Sequence, residues 1–253
     1  ALIIAAVLAD GKTVLENAGL EPEIDDMISF FNKMGAKIKR VGETIEIVGV
    51  NKLYGATHYV MPDRNEAVSY ACMAIATKGD IIVEGAKAEH IGAFLTKLKE
   101  VGGCYENSEY GIRFWYDKPL KAADIVTSAE PGFMTDWQPL WTTMMTQANG
   151  VSNVVEAVTQ HRLAFTEQLV EMGARIEYFD PKPSDPVEFY QFNYPEKVTY
   201  PHAARITGPS LFVGRELTVP DLRGGATLVM AAIMAEGESV IHNVELIDRG
   251  YEK

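Results

Sequence analysis

Three stretches of the chain open alike. "DRNEAVSYACMAIATKGDIIVEGA" from Asp63, "DWQPLWTTMMTQANGVSNVVEAV" from Asp136 and "DLRGGATLVMAAIMAEGESVIHNV" from Asp221 share one pattern. Each reads as an aspartate, a short polar turn, an apolar helix, a glycine stop and a strand. The opening "AAVLADGKTVLENA" is a fourth copy that lacks the aspartate and the helix start. The aspartates recur at intervals of roughly 80 residues, longer than the units of short solenoid repeats, so the repeat is a duplicated supersecondary unit.

A second helix follows each strand. "EPEIDDMISFFNKMGAKI", "AEHIGAFLTKLKEVGGCY" and "QHRLAFTEQLVEMGARI" all end at a glycine: Gly35, Gly102 and Gly173. Apolar residues at Ile24, Met27, Ile28, Phe31 and Met34 have helical spacing, and glycine is the expected C-terminal cap. Two strand-like runs then precede the next aspartate: "ETIEIVGV" with "GATHYVMPD", and "YGIRFWYD" with "ADIVTSAEPG". The third pair carries an insertion over residues 179–210, rich in proline and aromatic residues, which reads as an ordered excursion or exposed loop. The unit is β-α-β-α-β-β, and an array of such units gives an α/β or α+β protein.

The 23 basic and 35 acidic residues leave a net charge of −12. That excludes a general nucleic-acid surface, which needs clustered Lys and Arg. It leaves room for one anionic small-molecule site built from a few arginines. No run approaches the ~20 apolar residues of a membrane span. Cys72 and Cys104 have neither metal spacing nor a disulfide framework, and Cys72, inside "SYACMAIA", reads as a buried inert thiol. With five scattered histidines, no metal site is expected. The chain has no initiator methionine and breaks the repeat at both ends, so it reads as a piece of a longer protein.

Residues shared by the repeats are scaffold, and unshared polar residues are site candidates. Asp63 reads as an N-cap, accepting from free first-turn amides. Asp136 stays open between a cap and a base, because Thr135 is an alternative cap beside it. Arg64, Arg162, Arg223 and Arg249 fall near predicted helix N-termini, where the helix dipole disfavours cations. Each is either a solvated arginine paired with a nearby acid or part of an anion site.

The segments "TVLENAGLEPEI", "FFNKMGAKI", "PDRNEA", "MTDWQP", "EMGARI", "PDLRGGATLV" and "IDRGYEK" run in order over nearly the whole chain. Together they resemble the enolpyruvyl transferase family, in the form of its amino-sugar branch. The resemblance implies an inside-out α/β barrel of two domains, each built from three β-α-β-α-β-β units. Residues 1–61 would be the last unit of the catalytic-loop domain and residues 62–253 most of the other. It implies a cytoplasmic enzyme that moves the enolpyruvyl group of phosphoenolpyruvate to the 3-hydroxyl of UDP-N-acetylglucosamine. No cofactor or metal, and no nucleic-acid or membrane partner, is implied. Asp136 matches the base near the sugar hydroxyl, and Val158 a backbone contact to the nucleotide sugar. Arg249 matches a phosphoenolpyruvate-binding arginine, and Asp221 and Arg223 an acidic and basic pair beside the reacting centre. Arg162 matches the arginine of a family "ENR" motif that reads "QHR" here. Glu21 and Glu23 would lie at the domain boundary near the sugar, and Asp63 and Arg64 at the interdomain hinge. Neither cysteine matches the family's loop cysteine, so the chain alone is expected to be inactive. The alternatives are the shikimate-phosphate branch of the family, which has the same fold and chemistry, and a non-catalytic binding paralogue.

Overall fold

The computed structural model describes residues 1–193 and 200–251. The chain divides into two compact units, Ala1–Pro62 with Ala129–Pro131, and Asp63–Ser128 with Gly132–Lys253.

The first unit runs α1 (Leu2–Ala6), β1 (Lys12–Leu15), α2 (Pro22–Lys33), β2 (Lys37–Val41) and β3 (Thr44–Val48). Its strands form an antiparallel sheet in the order β1-β3-β2. Pro22 suits the first turn of α2, where the missing N–H has no partner to lose. The helix lays Ile24, Met27, Ile28 and Phe31 against Ile38, Ile45 and Ile47 of the sheet, and Gly35 follows it at φ +96°.

The second unit holds α3 (Arg64–Ala76), β4 (Asp80–Glu84), α4 (Gly92–Val101), β5 (Cys104–Ser108) and β6 (Gly111–Trp115) as one repeat. The next repeat is β7 (Ile125–Val126), α5 (Gln138–Met145), β8 (Gly150–Val155), α6 (Thr166–Met172), β9 (Arg175–Tyr178), a short α7 (Pro186–Phe189) and β10 (Ala203–Gly208). The third is β11 (Glu216–Thr218), α8 (Leu222–Met234) and β12 (Val240–His242). The sheets are β4-β6-β5, β7-β8-β10-β9 and β11-β12. The strand after each second helix lies at one edge and the final strand in the middle, as in the first unit. The leading strands β7 and β11 pair parallel with β8 and β12 across their helices. The repeat is therefore β-α-β-α-β-β, with strand order 1-2-4-3 where complete.

The helices α3, α5 and α8 pack on one another and are buried nearly all round, as central helices must be. The strands β4 and β9 contain exposed and part-buried residues and none that is buried. Helices thus lie inside this unit and sheets outside. Trp137 at the N-cap of α5 and Trp141 one turn into it meet Phe94 and Phe133 edge-on, with centroids 5.4–6.3 Å apart. Gly102 and Gly173 cap α4 and α6 in the left-handed conformation, at φ +87° and +118°.

Two sequence expectations need correction. Residues 55–63, read as a strand, form none. Tyr54 donates its N–H to the Met34 carbonyl (2.8 Å), and His58 sits between Lys33 and Asp26, 3.0 Å from each. The segment is thus tied to the end of α2 rather than to a sheet. The insertion is shorter than 179–210, because Ala203–Gly208 is the central strand β10; residues 194–199 of it lie outside the described residues. After β12, where the repeat breaks off, the chain makes a single 3-10 turn, Val244–Leu246, followed by turns to Gly250.

Candidate active site

The repeat places three aspartates at three helix starts, and their fates differ. The Asp63 carboxylate accepts from the N–H groups of Asn65 and Glu66. That of Asp221 accepts from Arg223 and Gly224, 2.9 Å each. Both are N-caps. Asp136 caps nothing: the cap position of α5 is Trp137, with no side-chain bond to the first-turn amides. Thr135, the alternative cap, donates its hydroxyl to Thr159 (3.0 Å) instead.

The Asp136 carboxylate is held between two arginines. Arg162 donates to Oδ1, and Arg223 to Oδ2 at 3.3 Å. Arg223 also donates to the Tyr251 hydroxyl (3.1 Å), which lies 2.7 Å from Ser69 Oγ on α3. Trp137 donates its indole N–H to Asn65 at the start of α3 (2.9 Å). The N-terminal ends of α3, α5 and α8 therefore meet around Asp136. The first-turn amides of α5, which no side chain caps, make this corner positive, and two guanidiniums add to it. The Asp136 side chain keeps 31% exposure, against 15% for Arg162 and 10% for Arg223. Solvent reaches the carboxylate, while the arginines are fixed behind it. Burial disfavours charge on Arg223, but Tyr251, Asp136 and Asp63 outweigh it and hold its pKa above the ordinary arginine value.

Among the other expected site residues, Asp221 fixes the turn that carries Arg223. Val158 spends its N–H on Glu156 (2.9 Å), so a backbone contact to a ligand there falls to its carbonyl. Arg249 is exposed, with no hydrogen bond or ion pair to another described residue. Arg64 is buried, donates to the His90 carbonyl (3.3 Å) and lies 5.8 Å from the Trp137 ring centre. Glu21 precedes α2 of the first unit, and Glu23 lies in its first turn. The structure thus gathers Asp136, Arg162 and Arg223, and adds Tyr251 and Ser69, which the sequence reading passed over.

Glu156 was also missed. It is buried at the end of β8, where its Oε1 accepts from Thr127 (2.8 Å), Val158 and Thr159 (2.8 Å). The signal was present: a lone acid inside the apolar run "NVVEAV". Burial pushes its pKa up, against the Thr159 and Val158 amides and the Thr127 and Thr135 hydroxyls that favour the charge. A folded-state pKa above the ordinary ~4.3 means stability that is full below that value and lost as pH rises through the raised one. Glu156→Gln keeps the acceptor and removes the titration. Its melting temperature should therefore gain on wild type as pH rises from about 4. A difference that does not change with pH would show that Glu156 does not titrate on unfolding.

Burial likewise pushes the Cys72 thiol up, leaving it inert. The described residues contain no group of three or more His, Cys, Asp or Glu able to hold a metal. No described helix is long and apolar enough to cross a membrane.

The chain is 41% identical to UDP-N-acetylglucosamine 1-carboxyvinyltransferase of Chlamydia trachomatis serovar D, over 99% of this chain and 56% of that protein. The protein of that name from Halothermothrix orenii is 40% identical, over 99% and 55%. The chain thus spans about half the length of these relatives. The fold matches the crystal structure of the enolpyruvyl transferase NikO from Streptomyces tendae, with TM-score 0.81, 24% identity and coverage of 99% and 55%. It also matches EPSP synthase from Acinetobacter baumannii, with TM-score 0.68, 20% identity and coverage of 98% and 56%. The family model described as EPSP synthase (3-phosphoshikimate 1-carboxyvinyltransferase) matches residues 1–253. A repeated β-α-β-α-β-β fold and a match over every residue agree, and the chain belongs to the EPSP synthase (3-phosphoshikimate 1-carboxyvinyltransferase) family.

Proposed function

We propose that the chain supplies the proton-abstracting side of an enolpyruvyl transferase site. Phosphoenolpyruvate is the donor and UDP-N-acetylglucosamine the acceptor. One observation carries the reading: Asp136 alone of the three repeat aspartates is released from capping and held by two arginines at the meeting of three helix starts. Its exposed edge takes the proton of the acceptor 3-hydroxyl as that oxygen bonds to C2 of phosphoenolpyruvate. C3 gains a proton to give a tetrahedral intermediate, which then loses a proton from C3 and inorganic phosphate to restore the double bond. Arg223, Arg162 and the exposed Arg249 offer charged donors to the carboxylate and phosphate of the donor. Asp221 holds the turn that aims Arg223.

The names of the relatives at 40–41% identity favour the amino-sugar acceptor. The description of the family model favours shikimate 3-phosphate as a second reading. Phosphate release by the complete gene product, given phosphoenolpyruvate and either acceptor, decides between them. Release with UDP-N-acetylglucosamine only is expected. Release with shikimate 3-phosphate only would overturn the acceptor, and release with neither would overturn the transferase. The 253-residue chain by itself is expected to release none, and release from it would show that it holds a complete site.

A further inference from the structure

The last two strands of each repeat show how little connection the fold needs there. β2 and β3 are joined by Gly42 and Glu43, and β5 and β6 by Glu109 and Tyr110. β9 and β10 pair in the same antiparallel way, yet residues 179–202 stand between them. A hairpin closes with two residues, so the pairing does not explain this excursion.

Its contacts do. Gln191 donates its backbone N–H to the Ala157 carbonyl (2.7 Å). The Asn193 carbonyl accepts from Gln160 Nε2 (2.9 Å). The Tyr200 ring lies against the His161 ring, with centroids 4.6 Å apart and planes 32° from parallel. All three contacts fall on the turn between Glu156 and Arg162. Glu156 grips the inner side of that turn through the Val158 and Thr159 amides. At its far end His161 stands at φ +60°, a left-handed conformation that a residue with a side chain holds only when its surroundings impose it. Arg162 follows directly and donates to Asp136. A residue that relaxed out of φ +60° would turn the next side chain away from its target.

We propose that Gln191, Asn193 and Tyr200 of this excursion brace the Arg162 turn. Stacking of Tyr200 on His161 keeps the strained backbone in place and so aims Arg162 at Asp136. Tyr200 is a positioning residue that acts through His161 and Arg162. The kinetic consequence rests on the function proposed above; the structural one does not.

The test compares Tyr200→Ala and Tyr200→Phe with wild type in the complete gene product, by amide hydrogen exchange and by enolpyruvyl transfer kinetics. In Tyr200→Ala, exchange over residues 157–165 should quicken about tenfold, while β8 and β10 keep their wild-type protection. Its kcat/KM should fall about tenfold. Tyr200→Phe keeps the ring and should match wild type in both readouts. Unchanged exchange in Tyr200→Ala would overturn the brace. Faster exchange with unchanged kcat/KM would overturn its role in aiming Arg162. If the wild-type protein transfers no enolpyruvyl group, the proposed function falls and the exchange readout alone decides the brace.

Discussion

Asp136→Asn should lower kcat for enolpyruvyl transfer by roughly 10²–10⁴-fold, the usual contribution of a positioned general base. The substitution keeps the size and shape of the side chain. It removes the proton acceptor and places an NH₂ where one carboxylate oxygen now meets an arginine. With Arg162 on one oxygen and Arg223 on the other, the amide satisfies only one of them whichever way it turns. The acceptor hydroxyl still has an oxygen or an amide to bond, so the KM for the nucleotide sugar should move only a few-fold. That split between kcat and KM marks an interaction made in the transition state. A kcat within threefold of wild type would remove Asp136 from the mechanism. A large rise in KM at constant kcat would make it a binding group.

The repeat was legible because a helix start, an apolar run and a glycine stop are local features that survive duplication. The glycine caps follow from local backbone preference alone, and Gly102 and Gly173 adopt the left-handed conformation the pattern implies. Residues 55–63 misled because their alternation resembles a strand, whereas the partners of His58 lie on α2, outside any local window. β10 was hidden because the excursion before it shares its proline and aromatic setting. The site follows the same rule. Local pattern left Asp136 open between cap and base; it caps nothing, and its partners are arginines 26 and 87 residues away. Tyr251 stands beside a serine 182 residues away, a distance no sequence window spans. Arg64, also at a helix start, lies with its guanidinium 5.8 Å from the Trp137 ring centre, a contact 73 residues away in sequence.

Trp141→Ala should destabilise the second unit by about 3–5 kcal/mol, the cost of a large cavity in a closed core. Its melting temperature should fall by roughly 10 °C. Trp141 is fully buried, and its ring meets Phe94 and Phe133 edge-on. Among the described residues its indole N–H has no hydrogen-bond partner. Trp141→Phe therefore loses volume and no bond, and should cost only about 1–2 kcal/mol. Trp137→Phe removes the donor to Asn65 as well as volume, and should cost about 1 kcal/mol more than Trp141→Phe. An equal loss in the two Phe variants would mean that the Trp137–Asn65 bond contributes nothing. The sharper comparison is with Asp136→Asn. Trp141 holds α5 in the core, whereas the carboxylate one turn away faces solvent. Well below its transition, Trp141→Ala should keep kcat within about threefold of wild type, since it touches none of the groups that meet the substrate. Asp136→Asn should lose turnover far more steeply, with a smaller drop in melting temperature from the arginine it leaves unpaired. If Trp141→Ala lost turnover as steeply as Asp136→Asn, the aromatic core would be setting the carboxylate geometry, and Arg162 and Arg223 would not suffice to hold it.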